Sequence, residues 1–565
     1  MFLNFLKINK NITLKNFIEI FDINKKTKNY KIAISLSKNN LIDGIISRGD
    51  LGRILSRKPQ LEKPIKYFLN KNFFSIQEKN LDNDLYSSIA KFTNKRSKQF
   101  KINEIIILDN KNKFKGILDL SKIINLLKYK KICVIGLGHI GLPLLLFLST
   151  KFDKINGFDN SRKKINDIYK NNLDIYEKGL DKLLSFSVSQ KKLLLSDNLK
   201  KVTSDIYIIC LGSEIINKKP SNSNLIKIAN KISQVLKKDD LIILRGTVQV
   251  GFTRQVLKKI IEKKTKWICG KDFFIGFIPE RLVEGNALEE LKTIPQVYAG
   301  YSYECNKIMT SFMEQTFQRY ILCEQLEEAE LIKLASNAYR DLNFAFANQI
   351  SKVSRKFNLS GSELINKANY GYARNLISRP SIGVGGFCLP KDPTLLSKSL
   401  KKLNYNYIFS DISKKANEDF LRFNLNRINK IIKKDINKKN IKIMIFGISY
   451  KSYPENIDTR NSIGLRIGNH LTKQKVKCFY YDKLNYLYNK KKLNIKVHKN
   501  FKNINNFDGI IVVNEHKDFE EILSNNLSKN TSKNKKIIFD TWNILDKNYI
   551  KNLNWEYYNL WKRFL

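Results

Sequence analysis

Short apolar runs alternate with lysine-rich amphipathic stretches from residue 131 to about 315, which predicts a doubly wound α/β domain over 129–316. KICVIGLGHIGLPLLLFLS (131–149) opens it as an apolar strand, a glycine turn and an apolar helix start. SDIYIICLG (204–212) and DLIILRG (240–246) read as further strands. Residues 325–360 keep helical periodicity without a breaker and predict one long helix at the centre of a helical domain over 317–435. KIMIFGISYK (442–451) begins a second strand–turn–helix pattern, continued by DGIIVVNEH and IIFDTWN, so 436–565 reads as another α/β domain.

Residues 1–128 follow a different pattern. IAISLSKNNLIDGIISRGDLGRIL (32–55) and EIIILDNKNKFKGILDLSKIIN (104–125) each read as strand, polar turn, second strand beginning at Gly44 or Gly116, and short helix. Such a duplication predicts a pseudo-symmetric α+β module. It resembles a pair of CBS domains, which bind adenine nucleotides between their repeats. The resemblance implies a regulatory nucleotide held by Asp50, in Ser47-Arg48-Gly49-Asp50. The second repeat has Asp119-Leu120-Ser121-Lys122, with a lysine in place of that Asp, so one site per chain is expected. A purely structural or dimerising module is the other reading.

Composition narrows the classes. The net charge of +50 invites a nucleic-acid reading, but lysine is spread along all 565 residues and forms no patch, so no nucleic-acid partner is expected. Seven cysteines without a CxxC pair favour reduced thiols and a cytoplasmic protein. None of the four histidines has zinc-ligand spacing, so no metal is expected. Neither a membrane-spanning run nor a signal peptide is read in the chain.

Two motifs carry chemistry. Gly136, Gly138 and Gly141 form a GxGxxG turn between strand and helix, the arrangement that brings a pyrophosphate to a helix N-terminus. Asp159 ends the next apolar run, 23 residues after Gly136, where a carboxylate accepts from ribose hydroxyls and repels a 2′-phosphate. These residues, with Ile140, predict NAD as cofactor. GVGGFCLPKD (383–392) surrounds Cys388 with glycines and places Lys391 and Asp392 just beyond it. The glycines permit close approach of a substrate. A neighbouring lysine is expected to lower the thiol pKa and favour a nucleophile.

From about 131 to 550 the chain resembles the UDP-glucose/GDP-mannose dehydrogenase family, through VIGLGHIGLP, FIPERLVEGNALEEL, EEAELIKLASNAYRDLNFAFANQ, PSIGVGGFCLPKD and GISYK…DTRNS, in that order. The resemblance implies two Rossmann-like domains joined by a helical one. It implies Cys388 as nucleophile, Lys333 as oxyanion stabiliser, Asn337 as substrate-positioning amide and Asp392 as partner of Lys333 on the catalytic water. Glu280 matches a general acid/base acting through water, with Thr247 near the same water. Glu284 lies near the nicotinamide, Lys164 near the adenosine, and Arg460 reaches the cofactor phosphates. Ser213 and Lys391 complete the cofactor set. Arg281, Ile377, Ser378, Arg379, Pro380, Ser381, Gly385 and Lys451 match substrate contacts, as do Glu280, Glu284, Lys333 and Asn337. Departures are local: Leu211-Gly212-Ser213-Glu214 stands where the family has Pro-Thr-Pro, Val250-Gly251 replaces a Pro-Gly, and the stretch from Lys451 to Arg460 is two residues longer.

The implied reaction is a four-electron oxidation of a UDP-sugar primary alcohol to the uronic acid, through a thiohemiacetal and a thioester on Cys388. GVGGFCLPKDP is similar to UDP-glucose dehydrogenases and PERLVEGNALEEL to the branch acting on UDP-N-acetylhexosamines. Use in polysaccharide or surface-glycan precursor synthesis follows from that product class. The alternative is a degenerate dehydrogenase serving as a nucleotide-sensing regulator. The resemblance also implies a homodimer built on the long helix, with Leu331, Leu334, Ala338 and Leu342 available for packing away from the site.

Overall fold

The computed structural model describes residues 5–28, 30, 32–78, 104–119, 131–217, 219–436, 438–488, 495–498, 504–531 and 534–560. The chain divides into two compact units, Met1–Lys130 with Asn306–Gln315, and Lys131–Cys305 with Thr316–Leu565.

In the first unit the duplication is visible strand by strand. Strands Leu6–Ile8, Ile32–Leu36 and Ile42–Ser47 form one sheet, and Ser75–Gln77, Glu104–Leu108 and Phe114–Asp119 form another. In each, the first strand is parallel to the second and the second antiparallel to the third. A register irregularity falls at the same place in both, Ser35/Leu36 and Ile107/Leu108. Gly44 pairs with Ser35 as Gly116 pairs with Ile107. Ile32, Ile34 and Ile45 share one core with Ile106, Phe114 and Ile117. Neither repeat buries its apolar face alone, which is the physical reason for a pair. Asp50 is the N3 residue of a capping box: it accepts from Ser47 N at 3.0 Å and Ser47 Oγ at 2.7 Å, and pairs with Arg53 at 2.5 Å. Ser121 and Lys122 lie outside the described residues.

The second unit contains two parallel sheets and the helices between them. The eight-stranded sheet runs Tyr320–Leu322, Gln296–Gly300, Phe274–Phe277, Leu241–Leu244, Ile206–Ile209, Ile132–Ile135, Ile155–Phe158, Leu193–Ser196, and is parallel except between Phe274–Phe277 and Gln296–Gly300. Its last six strands have the doubly wound dinucleotide-binding order. The five-stranded sheet (Lys477–Tyr481, Lys442–Phe446, Gly509–Val512, Lys536–Asp540, Trp555–Asn559) is wholly parallel. Its three central strands are runs of buried apolar residues, mostly Ile, Val and Phe, because helices cover both faces.

Helix Leu326–Ser354 spans 29 residues and packs on helix Phe409–Asp435 of 27 residues. Its faces differ from expectation. Leu334 and Ala338 are buried against Leu395 and Leu396, so they are core. The outward stripe is instead Leu331, Tyr339, Phe346 and Val353, at 40, 57, 51 and 54% exposure. Leu342 is half-buried. Among the described residues no helix is long and apolar enough to cross a membrane.

Candidate active site

A cleft of about 940 Å³ opens at the carboxyl ends of both parallel sheets, where ligands of open α/β sheets bind. One wall is the glycine turn. Gly136 adopts φ +87°. A Cβ on Gly141 would lie 1.8 Å from Gly136 O, so helix and strand pack closer than any side chain allows. A Cβ on Gly138 would meet nothing within 4 Å, because that backbone faces the open cleft. Asp159 ends strand Ile155–Phe158 and accepts from Leu137 N and Ser161 N, both at 3.0 Å, which aims its carboxylate beside the turn. Ile140 and Lys164 also line this wall. These residues fit the adenosine diphosphate half of NAD.

The second domain repeats the geometry without repeating the site. Asp482 follows strand Lys477–Tyr481 as Asp159 follows its own, but it is 1% exposed and spent on Ile448 N, Ser449 N and Ser449 Oγ.

The reactive centre is built on the long helix. Lys333 and Asn337, one turn apart, both point into the cleft. Lys333 Nζ is 3.5 Å from Glu280 Oε2, and Asn337 Nδ2 donates to Asp392 Oδ2 at 2.6 Å. Burial opposes the Lys333 charge, yet Glu280, Cys388 and Asp392 outweigh it and raise its pKa above the ordinary lysine value. Thr247, Arg281, Glu284, Lys391 and Cys388 line the same cleft.

Cys388 sits in the turn that starts helix Asp392–Lys401, its carbonyl accepting from Lys391 N at 3.0 Å and Asp392 N at 2.8 Å. The expected low pKa is corrected here. Burial, reinforced by Asp392, pushes the thiol up to about 12 despite Lys333 and Lys391. Lys391 gives its charge to Asp392, at 2.6 Å. Burial therefore favours the neutral thiol over the thiolate.

Other expected residues fall into two groups. Lys451 Nζ donates to Glu284 O at 2.7 Å, and burial brings its pKa down to about 8. Arg460 bridges Glu284 at 2.8 Å and Asp458 at 2.7 Å and lies over the Phe387 ring. Burial beside Asp458 pushes Glu284 up to about 8. Ser381 and Gly385 line the cleft. Ile377, Ser378, Arg379 and Pro380 stand outside the cleft lining. Arg379 is occupied by Glu515 at 2.9 Å and by the Trp542 carbonyl. Ser213 is buried, its hydroxyl donating to Asn222 at 2.6 Å, so it holds a loop and does not face the cofactor wall. Asp392 is fully buried and reaches the cleft through Asn337 and Lys391.

Sequence reasoning missed what holds the substrate-side loop. Asn343 accepts from Ser378 N at 2.8 Å, Asn348 from Ser381 N at 3.0 Å, and Asn369 from Ile377 N at 3.2 Å. It also missed Tyr450, whose ring would lie 2.8 Å from a Cβ on Gly386 (φ +85°) and packs the glycine loop.

A glycine turn fitted to a dinucleotide, in one cleft with a cysteine flanked by lysine, asparagine and carboxylates, defines the class as an NAD-dependent dehydrogenase. The chain belongs to the UDP-glucose/GDP-mannose dehydrogenase family: its NAD binding domain model matches residues 130–319, its central domain 327–419 and its UDP binding domain 444–547. A UDP-N-acetyl-D-mannosamine dehydrogenase of Methanocaldococcus jannaschii is 29% identical over 425 residues, 74% of this chain and 93% of that protein. The structure of UDP-D-ManNAc dehydrogenase from Pyrococcus horikoshii superposes with TM-score 0.66 at 26% identity, covering 76% of this chain and 99% of that one. The UDP-N-acetyl-mannosamine dehydrogenase from Staphylococcus aureus gives 0.64 at 25% identity, covering 76% and 98%. The protein is an NAD-dependent UDP-sugar dehydrogenase.

Proposed function

We propose that this protein oxidises C6 of a UDP-N-acetylhexosamine, with the N-acetylmannosamine form as first choice, to the uronic acid. The Cys388, Lys333, Asn337 and Glu280 constellation at the floor of the cleft carries the reading. The names of the relatives at 25–29% identity favour the N-acetylated sugar over UDP-glucose.

NAD, when bound at the glycine turn, would supply hydride acceptance at C6: one NAD for alcohol to aldehyde and, after NADH leaves, a second NAD for thiohemiacetal to thioester. Glu280, acting through water, takes the alcohol proton. Cys388 adds to the aldehyde carbon: an S–C bond forms, the C=O π electrons move to oxygen as an alkoxide, and the thiol proton passes through water to that oxygen, giving the thiohemiacetal. Lys333 stabilises that oxyanion, and Asn337 fixes the sugar against it. After the second oxidation a water adds to the thioester, the S–C bond breaks, and Cys388 is regenerated. Asp392 orients Lys333 and Asn337 for this step. Lys451 and Arg460 hold the UDP and cofactor phosphates across the cleft.

No residue of this set is lost, which disfavours a degenerate regulatory role. The two-repeat module is read as a CBS-like pair holding one adenine nucleotide, and the assembly as a homodimer. A panel of nucleotide sugars, followed by NADH formation, tests substrate choice. UDP-N-acetylmannosamine should give the highest kcat/KM; higher values for UDP-glucose would reassign the chain to the other branch.

A further inference from the structure

Glu177 has no part in the steps above, yet it is only 6% exposed and lines the cleft. It stands in the turn before helix Leu180–Ser189. Both carboxylate oxygens serve one distant turn: Gly285 N donates at 2.7 Å and Ala287 N at 2.9 Å. Ala287 begins helix Ala287–Thr293, whose N-cap Asn286 makes no side-chain cap bond. Glu177 therefore satisfies, from elsewhere in the chain, one of the unpaired N–H groups at the start of that helix, that of Ala287, together with the Gly285 N–H just before it.

The other side of this turn meets the UDP-binding domain. Lys451 Nζ donates to Glu284 O, and the Glu284 carboxylate pairs with Arg460. Gly285 adopts φ +91°, and a Cβ there would lie 2.1 Å from Glu455 O. Residues 284–287 are thus pressed between Glu177 behind and Lys451, Glu455 and Arg460 in front. Burial pushes Glu177 up to about 7 and Lys451 down to about 8, and the attraction between their charges through the turn works against both shifts.

We propose that Glu177 is a positioning residue for sugar-nucleotide binding: it fixes the 284–287 turn from behind, so that the Glu284 carbonyl holds the Lys451 ammonium at the sugar-nucleotide side of the cleft. The inference rests on the reading of Lys451 as a UDP-sugar contact. Two convergent N–H donors need two acceptors. A carboxylate has them; an amide of the same shape has one acceptor and turns its NH2 toward the second donor. Glu177→Gln therefore keeps volume and loses the fit.

The test uses the full chain, with UDP binding by calorimetry and steady-state kinetics. Glu177→Gln should weaken UDP affinity and raise KM for the UDP-sugar by about tenfold, the cost of one unmade bond at a buried acceptor. KM for NAD and kcat should stay within about twofold, and Glu177→Asp, which keeps the charge, should fall between. In a Lys451→Met background, Glu177→Gln should add less than about twofold, because the two act through one contact. Equal losses in kcat and NAD affinity, or an undiminished effect in the Lys451→Met background, would mean that Glu177 only supports the fold. Unchanged UDP affinity in Glu177→Gln overturns the inference alone. Failure of the unmutated protein to bind UDP overturns the reading beneath it as well.

Discussion

Lys333 Nζ lies 3.5 Å from Glu280 Oε2, and each residue is only 5% exposed. The pair joins the central helix to the loop after strand Phe274–Phe277. In the proposed mechanism such a cation, in a low-dielectric cleft, would act strongly on the alkoxide that forms on the sugar oxygen when Cys388 adds. Lys333→Met should lower kcat by roughly 10²–10³-fold while UDP and NAD dissociation constants stay within about threefold, read by single-turnover kinetics and calorimetry. A kcat within tenfold of the unmutated protein would remove Lys333 from the chemistry.

The pKa of Cys388 sets a pH dependence. Burial raises it to about 12, so the thiolate fraction grows with pH throughout the working range. Alkylation of Cys388 by iodoacetamide should accelerate about tenfold per pH unit between 7 and 9. Asp392→Asn, which removes a charge that disfavours the thiolate, should speed it at every pH. A plateau near pH 7 would show a low-pKa thiolate instead.

The apolar stripe Leu331, Tyr339, Phe346 and Val353 recurs at spacings of seven or eight residues along helix Leu326–Ser354. Four exposed large apolar side chains on one face of a helix are a candidate association surface. The protein should be a dimer by light scattering at micromolar concentration, and Tyr339→Glu with Phe346→Glu should make it monomeric. A monomeric unmutated protein contradicts the dimer.

The two repeats of the N-terminal unit predict one adenine-nucleotide site per chain. Calorimetry of the full chain with AMP, ADP and ATP, with NAD saturating, should show one binding event. Asp50→Asn, which retains an acceptor for the cap on helix Arg48–Ser56, should weaken it at least tenfold. No heat below about millimolar nucleotide, or no change in Asp50→Asn, leaves the module a structural one.

Much of this fold was legible because its signals are local. The GxGxxG turn, the Asp ending the next strand and the glycine-cysteine loop are each contained in short stretches of chain. The duplication in 1–128 was legible for the same reason, down to the matching glycines. What was missed depends on partners far away in sequence. The sign of the Cys388 shift could not be read from Lys391, because the lysine gives its charge to Asp392 and burial decides the rest. Arg379 and Ser213 carried family motifs but found other partners, Arg379 in Glu515 on a strand-end loop 136 residues away and Ser213 in Asn222. Leu334 and Leu331 differ by less than one helical turn, and only packing shows which is core. Asn343, Asn348 and Glu177 act on backbone amides, a role that leaves no sequence pattern.

The proposed mechanism requires Cys388 to tether the aldehyde between two oxidations. Its most direct measure is the NADH yield per UDP-N-acetylmannosamine consumed, with the protein's mass recorded during turnover. The unmutated protein should give two NADH and one uronate per sugar, with a sugar-nucleotide adduct on Cys388. Cys388→Ser should bind both ligands and accumulate no uronate. Near-normal uronate from Cys388→Ser, or one NADH per sugar from the unmutated protein, would contradict the account.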